Sequence, residues 1–222
     1  NPLPVKELIW TELAALSTLP YIQFMSAAAR KFRSLMEYFG IRSSSYYHSD
    51  ARANYDPHDL LAYYLDHTPR AHFPGPRDSD GIPLYSRGGQ TGYLPVLNAL
   101  YALGHCDLYR LHGGESNRDE CLNIADWFIR AQDDRGLWLT PFPQKAFGLK
   151  ENFVSAMAQG MGISVLARAH RLTERQEYVE AARKALEIFR IDIADGGVRS
   201  TNDGRIFYEE FPTKPPHHVL NG

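Results

Sequence analysis

Residues 153–170 read FVSAMAQGMGISVLARAH. Apolar or small side chains stand on almost every side of the helix this stretch would form. A helix with no polar face belongs inside a protein, with other elements around it. Ser155, Ala158, Gly160 and Gly162 keep its surface narrow, so neighbouring backbones can pack closely. The next stretch has a different character. Thr173-Glu174-Arg175-Gln176 has the pattern of a capping box. The helix it opens is predicted to run to about Arg190, with Tyr178, Ala182, Ala185 and Phe189 inward. Its outer face carries Glu180 and Lys184 at i,i+4 spacing. Asp195-Gly196-Gly197 turns the chain, and Arg205-Ile206-Phe207-Tyr208 reads as a strand.

The same order stands upstream. Leu94 to Tyr109 is apolar nearly all round, and Asn117 to Gln132 is amphipathic with Cys121, Ala125, Phe128 and Ile129 inward. Asp133-Asp134-Arg135-Gly136 then leads into Leu137-Trp138-Leu139, a predicted short strand closed by Pro141-Phe142-Pro143. Ala125 corresponds to Ala182, and Phe142-Pro143 to Phe211-Pro212, with a longer loop in the second copy. Repeated pairs of one buried and one half-buried helix close naturally into two concentric rings. The predicted fold class is therefore mainly α: an incomplete (α/α) barrel or toroid of helix pairs, with short β-hairpins at one rim. Loops held on such a scaffold are where sites sit.

Upstream of the repeats the pattern weakens. Residues 3–39 predict two helical stretches divided near Pro20, the second marked by Phe24, Ala28, Phe32, Leu35 and Phe39 and stopped by Gly40. Residues 41–92 are rich in Ser, Asp, Pro, Gly and His, and only Pro57 to Leu65 reads as a helix. Ile82, Leu84 and Tyr85 predict a short strand ahead of the polar tip Arg87-Gly88-Gly89-Gln90. The expected organisation is an N-terminal helical segment (1–40), a loop-rich segment (41–92) and a toroid (93–222) truncated at its C-terminus. The chain starts at Asn1 without a Met and stops just after Leu-Asn-Gly, as if cut from something longer.

Composition narrows the function classes. The 222 residues carry a formal net charge of −2, which supplies no basic field for nucleic acid. Thirteen Tyr, eleven Phe and three Trp suit sugar faces as well as cores. Cys106 and Cys121 are the two cysteines; a disulfide between them is allowed but not forced, and the redox compartment is undecided. The apolar run from Leu8 to Ala29 is interrupted by Glu12 and Pro20, so it reads as neither a membrane span nor a signal peptide.

Candidate chemistry concentrates in Phe207 to Gly222, FYEEFPTKPPHHVLNG. In a continued strand Ile206, Tyr208 and Glu210 share one face, and Phe207, Glu209 and Phe211 the other. A phenol and a carboxylate on one face can move protons; a hairpin with a solvated acidic tip has the same sequence. Arg87 is the best candidate for holding a carboxylate, because its fork binds one bidentately. Gln159 is a polar residue in a buried helix, either a cleft residue or an internally satisfied amide. Tyr93 and Tyr101 read as core or as sugar platforms, and His105 as structural. His217 and His218 lack partners at metal spacing, so no metal site is expected.

Two long blocks carry a family resemblance. Gly148 to Ala169, GLKENFVSAMAQGMGISVLARA, and Phe207 to Gly222 closely resemble the C-terminal domain of D-glucuronyl C5-epimerases. Weaker matches are Gln90 to His105 (QTGYLPVLNALYALGH), Ala125-Asp126-Trp127, Gly136-Leu137-Trp138 and Phe142-Pro143, so the likeness spans about Ile82 to Gly222. The resemblance implies an (α/α) barrel acting on hexuronic acid units of a polysaccharide such as the heparan precursor. D-glucuronate becomes L-iduronate by loss and return of hydrogen at C5, with no cofactor and no metal. Glu210 falls on the family's catalytic glutamate. The next family position is a catalytic tyrosine where this chain has Phe211, and two further family tyrosines lie beyond Gly222. Tyr208 is the candidate substitute. Substrate-binding candidates are Arg87, Gln90, Tyr93, Gln159, Glu209 and Asn221. The expected partner is an acidic polysaccharide, with no nucleic acid, no membrane span and a homodimer left open. Rival expectations are a non-catalytic polysaccharide-binding relative, motivated by Phe211, and a polyuronate lyase on the same scaffold. The family resides in the Golgi lumen in animals, and a bacterial origin is equally open.

Overall fold

Among the described residues, four α-helices in two consecutive pairs make a mainly helical architecture. The computed structural model describes residues 49–219, within a unit spanning 48–222. The predicted helical segment 1–40 and the candidate Asn221 lie outside the described residues. Helix α1 (Pro95–His112) turns through Gly113-Gly114 into α2 (Glu115–Ala131). Helix α3 (Ala156–Thr173) turns through Glu174-Arg175 into α4 (Gln176–Leu186). Such short connections make each pair a hairpin of helices. Helix α1 also packs on α3, and α2 on α3.

The periodicity explains which helices lie deepest. Leu97, Ala99, Leu100, Tyr101, Ala102 and Leu103 are all buried on α1. On α2, burial is confined to Cys121, Ile124, Ala125, Trp127 and Phe128, one face of the helix. The core between the pairs holds Phe128, Trp138, Val165, Leu166 and Tyr178, each almost wholly enclosed. Burying an aliphatic side chain such as Leu166 contributes about 1.5–3 kcal/mol. A methyl on Gly162 would stand 2.7 Å from the Trp138 ring, so only glycine lets α3 close on that indole. Gly104 does the same for α1, where a methyl would stand 2.6 Å from the backbone at His67 and Ala71. A Cys106–Cys121 disulfide, with Cα atoms 5.6 Å apart, ties α1 to α2.

Two antiparallel hairpins complete the frame: β1 (Tyr85–Arg87) with β2 (Gln90–Gly92), and β3 (Arg199–Asn202) with β4 (Arg205–Tyr208). In the second, Arg199 faces Tyr208 and Ser200 faces Phe207. A second apolar cluster of Leu137, Val154, Ala156, Ile188 and Val198 lies beneath it.

Local expectations fail where side chains or tertiary partners compete for the backbone. Pro57 to Leu65 is a run of turns, not a helix. The Asp56 and Asp59 carboxylates accept from the amides of His58 and Leu61, and Arg168 takes the carbonyls of Leu61 and Ala62. Short polar side chains that bond local amides favour turns over helix. Leu137-Trp138-Leu139 is no strand; only Thr140 pairs, in a single bridge with Phe153. The Trp138 carbonyl is taken by the Gln159 amide and the Leu137 amide by Asp133, so no ladder forms there. Thr173 does not open a capping box. It ends α3, donating its hydroxyl to the Ala169 carbonyl, while Glu174 takes the left-handed C-cap at φ 62°. Helix α4 stops at Leu186 and tightens into a 3-10 turn, Glu187–Arg190.

Candidate active site

Three loops meet around the N-terminal end of α3. The first is the β1–β2 hairpin, whose Tyr85 ring meets Phe142 edge-on at 5.1 Å and whose Arg87 Nη1 donates to Gln144 Oε1 at 3.4 Å. The second, residues 140–153, is pinned by bridges at Thr140–Phe153 and Gln144–Leu149. The third is the segment after β4. There Phe211 stacks on Phe147 at 4.3 Å and tilts against Phe153 at 6.1 Å. The middle loop thus joins the first hairpin to the acidic segment.

Strand alternation holds as far as Tyr208 and then stops. Ile206 and Tyr208 are exposed, and the Tyr208 ring leans edge-on against Phe189. Glu209 leaves the ladder as a doubly tethered residue. Its amide donates to the Val198 carbonyl at 2.8 Å, and its carbonyl accepts the Ala156 amide at 3.0 Å. The edge of the hairpin and the first turn of α3 are thereby joined through one residue.

The two adjacent carboxylates have opposite environments. Glu209 is fully enclosed and satisfied: the Ser200 hydroxyl donates to Oε1 at 2.6 Å, His218 Nδ1 stands 2.8 Å from the same oxygen, and the His218 amide donates to Oε2 at 3.2 Å. Buried carboxylates persist only when paired and hydrogen-bonded in this way. Glu210 is half-buried, and its Oε2 is enclosed with no hydrogen-bond partner. Burial alone pushes its carboxyl up to about 7. A glutamate held there takes up a proton readily and is ionised in half the molecules near neutral pH, the condition for efficient general-base work.

The remaining candidates separate. Gln159 resolves as an internal amide: it is fully enclosed and donates to the Trp138 carbonyl at 2.9 Å. Glu209, expected to bind substrate, is likewise enclosed, because the hairpin and the His218 loop close over it. Glu209 has partners on both carboxylate oxygens, whereas Gln159 Oε1 is buried with no hydrogen-bond partner. Arg87 and Gln90 are exposed and face each other across the tip of the first hairpin. Tyr93 is 39% exposed, donates its hydroxyl to Asp78 at 2.7 Å, and lines a groove of about 380 Å³ with Trp127 and Pro141. Tyr101 belongs to the core, its hydroxyl bonded to Arg77 and Glu120. A neighbouring groove of about 280 Å³ opens beside Pro212 and is lined by Arg135, Asn152 and Lys214. Sequence reasoning missed these three and the Ser200–Glu209–His218 cluster. The only local signal was the proximity of Lys214 and His218 to the acidic pair.

Residues 132–222 match the family described as D-glucuronyl C5-epimerase C-terminus. Over 102 residues the chain is 46% identical to a D-glucuronyl C5-epimerase of Caenorhabditis elegans. The aligned part covers 44% of this chain and 17% of that relative, so the chain spans about a sixth of the length of the curated relative it matches. Glu209, Glu210, Phe211, the 140–153 loop and the groove beside Pro212 all fall inside the family stretch. Arg87, Gln90 and Tyr93 precede it.

Proposed function

We propose that this chain contributes the proton-abstracting glutamate of a uronate C5-epimerase acting on D-glucuronate units of an acidic, glycosaminoglycan-like polysaccharide. The observation that carries the proposal is Glu210: a half-buried carboxylate with Oε2 enclosed and unpartnered and a raised pKa, lying in the stretch that matches the epimerase family. Residues 93–222 are then part of an (α/α) toroid, with the two helix pairs as successive units and the hairpins on its substrate-facing rim.

The chemistry follows from acidity. The C5–H of a uronate lies α to an ionised carboxylate, so removing it creates a dianionic enolate. Glu210 takes the proton from C5, and the electron pair left behind delocalises into the C6 carboxylate. A proton then returns to C5 from the opposite face, and Glu210 releases the one it took. The enolate forms only if cationic or hydrogen-bonding groups stabilise its charge, usually the largest single contribution. Arg87 is the proposed partner of the reacting carboxylate, with Gln90 and Tyr93 beside it. Tyr208, 42% exposed, is the proposed proton donor for the second face.

One observation favours a second reading, a non-catalytic polysaccharide-binding relative. Phe211 stands where the family resemblance calls for a tyrosine, and its ring is committed to the stack with Phe147. Incubation of the protein with heparosan in D2O separates the readings. Deuterium at C5 of intact chains supports the epimerase, and binding without exchange supports the second reading. A new ultraviolet-absorbing double bond identifies a lyase, in which the same enolate expels the C4 substituent. Exchange by Glu210→Gln at the wild-type rate would remove Glu210 as the base.

A further inference from the structure

Two cationic side chains outside the proposed chemistry line one groove. Arg135 sits in the turn after α2, and Lys214 in the loop after the acidic pair. Asn152, at φ 61° and donating its backbone N–H to the Thr140 carbonyl, lines the same groove. Much of the rest is apolar or bare backbone: Leu149, Phe153, Gly196 and Gly197. The volume, about 280 Å³, is just below the range of about 300–1,000 Å³ typical of drug-sized ligand clefts, as suits part of a single sugar unit.

Neither cation is used up. Arg135 turns Nε and Nη2 toward Asp133 Oδ2, at 3.3 and 3.2 Å, which leaves Nη1 for a ligand. Lys214 Nζ donates one hydrogen bond to the Ala194 carbonyl at 3.0 Å and has two N–H donors left. The groove shares Leu137 and Leu139 as a wall with the Tyr93–Trp127 groove. It also adjoins the acidic segment: Pro212 lines it two residues after Glu210, and Phe153 lines it while touching Phe211. A chain molecule lying along the two grooves would pass an aromatic face, then a cationic one, beside the segment that carries Glu210.

We propose that the Arg135–Asn152–Lys214 groove is an anion subsite that takes a carboxylate or sulfate of a sugar unit neighbouring the one held at Glu210. The inference rests on the polyuronate reading above and extends it to recognition of the polymer beyond the reacting ring. Asn152 supplies a neutral donor at the ring hydroxyls, and the two cations supply charge-assisted hydrogen bonds. An acidic polymer is thereby held at more than one unit, which fixes its register across Glu210.

The test is calorimetric binding of a heparosan octasaccharide to the wild type, Arg135→Ala/Lys214→Ala and Arg135→Lys/Lys214→Arg. Both side chains are largely exposed, so the melting temperature serves as a control that the fold is unchanged. The alanine pair is expected to weaken binding about ten- to a hundredfold, as loss of charged hydrogen bonds does, and to flatten its dependence on KCl. The charge-keeping pair restores most of the affinity. A carboxyl-reduced octasaccharide binds the wild type and the alanine pair equally. Equal affinity of these two proteins for the acidic octasaccharide, or no binding by the wild type, overturns the subsite. Glu210→Gln is measured alongside and is expected to bind like wild type while losing C5 exchange. Persistent exchange in that variant overturns the base without touching the binding result, so the two failures are distinguishable.

Discussion

The C-terminal halves of α1 and α3 and the N-terminal end of α3 bury charge in opposite ways. At the first, residues 49–71 are clamped to the helices. Arg52 bonds Asp66 at 3.0 Å and Asp107 at 2.8 Å, and the His67 amide donates to the same Asp107 oxygen at 3.1 Å. Arg168 stacks on Tyr63 and donates to two carbonyls of the clamped segment. Each ionised group there has an opposite charge or a hydrogen bond. At the second, Glu209 is equally satisfied, but half-buried Glu210 has its Oε2 enclosed with no hydrogen-bond partner. Burial pushes Asp107 up as well, yet Arg52 and the His67 amide work against it; nothing works against it at Glu210. The two ends thus differ in whether a desolvated carboxylate is met by a cation or an amide, as Asp107 is, or by neither, as at Glu210 Oε2.

The sharpest way to break this contrast is Glu210→Gln. Loss of a general base removes about 10²–10⁴ of the rate, so C5 deuterium exchange is expected to fall by at least a hundredfold. Wild-type kcat/KM is expected to fall tenfold per pH unit below about 7, because the base must be ionised. The same substitution also stabilises the fold. The carboxyl pKa is raised on folding, so ionisation opposes folding above the ordinary glutamate range and most strongly above pH 7. Glutamine removes that opposition, by about 1–2 kcal/mol after allowance for solvent screening. Urea unfolding at pH 8 and pH 4 reads the difference, with the gain confined to the alkaline side.

At the clamped end the sign reverses. Asp107→Ala leaves Arg52 buried without its closest partner and is expected to cost about 3–5 kcal/mol in urea unfolding, while the base stays in place. His67 sits beside Arg70, Arg168 and Arg52, and burial with these cations lowers its pKa to about 4. The folded protein holds it neutral, whereas the unfolded chain protonates it below about pH 6.5. The stability is therefore full above pH 6.5 and is lost as pH falls toward 4, by about 3 kcal/mol. His67→Gln is expected to flatten that window, measured as the difference in unfolding free energy between pH 7 and pH 4.5. Among the destabilising changes the smallest belongs to Ser200→Ala, which removes one hydrogen bond to Glu209 and is expected to cost about 1.5–3 kcal/mol. A loss near zero would mean that Glu209 does not anchor the hairpin.

How much of this was legible varies by residue. The all-round apolar stretches of α1 and α3 read as deep helices because a 3.6-residue period leaves no other place for such surfaces. The amphipathic partners α2 and α4 were readable as well, although α4 opens only after Thr173 has ended α3 and stops at Leu186, short of the expected Arg190. The turns at 57–65 were hidden, because Arg168, more than a hundred residues away, takes the carbonyls a helix would use. Glu209 and Glu210 are chemically identical neighbours, and the sequence could not say which one the fold would satisfy. The shared face of Ile206, Tyr208 and Glu210 presumed a strand that runs on, whereas the tether of Glu209 to Val198 and Ala156 ends it.

The amino-acid order alone determined the helix pairs, the polar tip of the first hairpin and the acidic segment with its likeness to an epimerase domain, because periodicity and motif are properties of near neighbours. Only the tertiary structure decided which carboxylate is bare, that Gln159 is internal, and that Arg135, Asn152 and Lys214 share a groove. Those facts depend on desolvation and on contacts between residues distant along the chain, and a linear pattern carries no record of either.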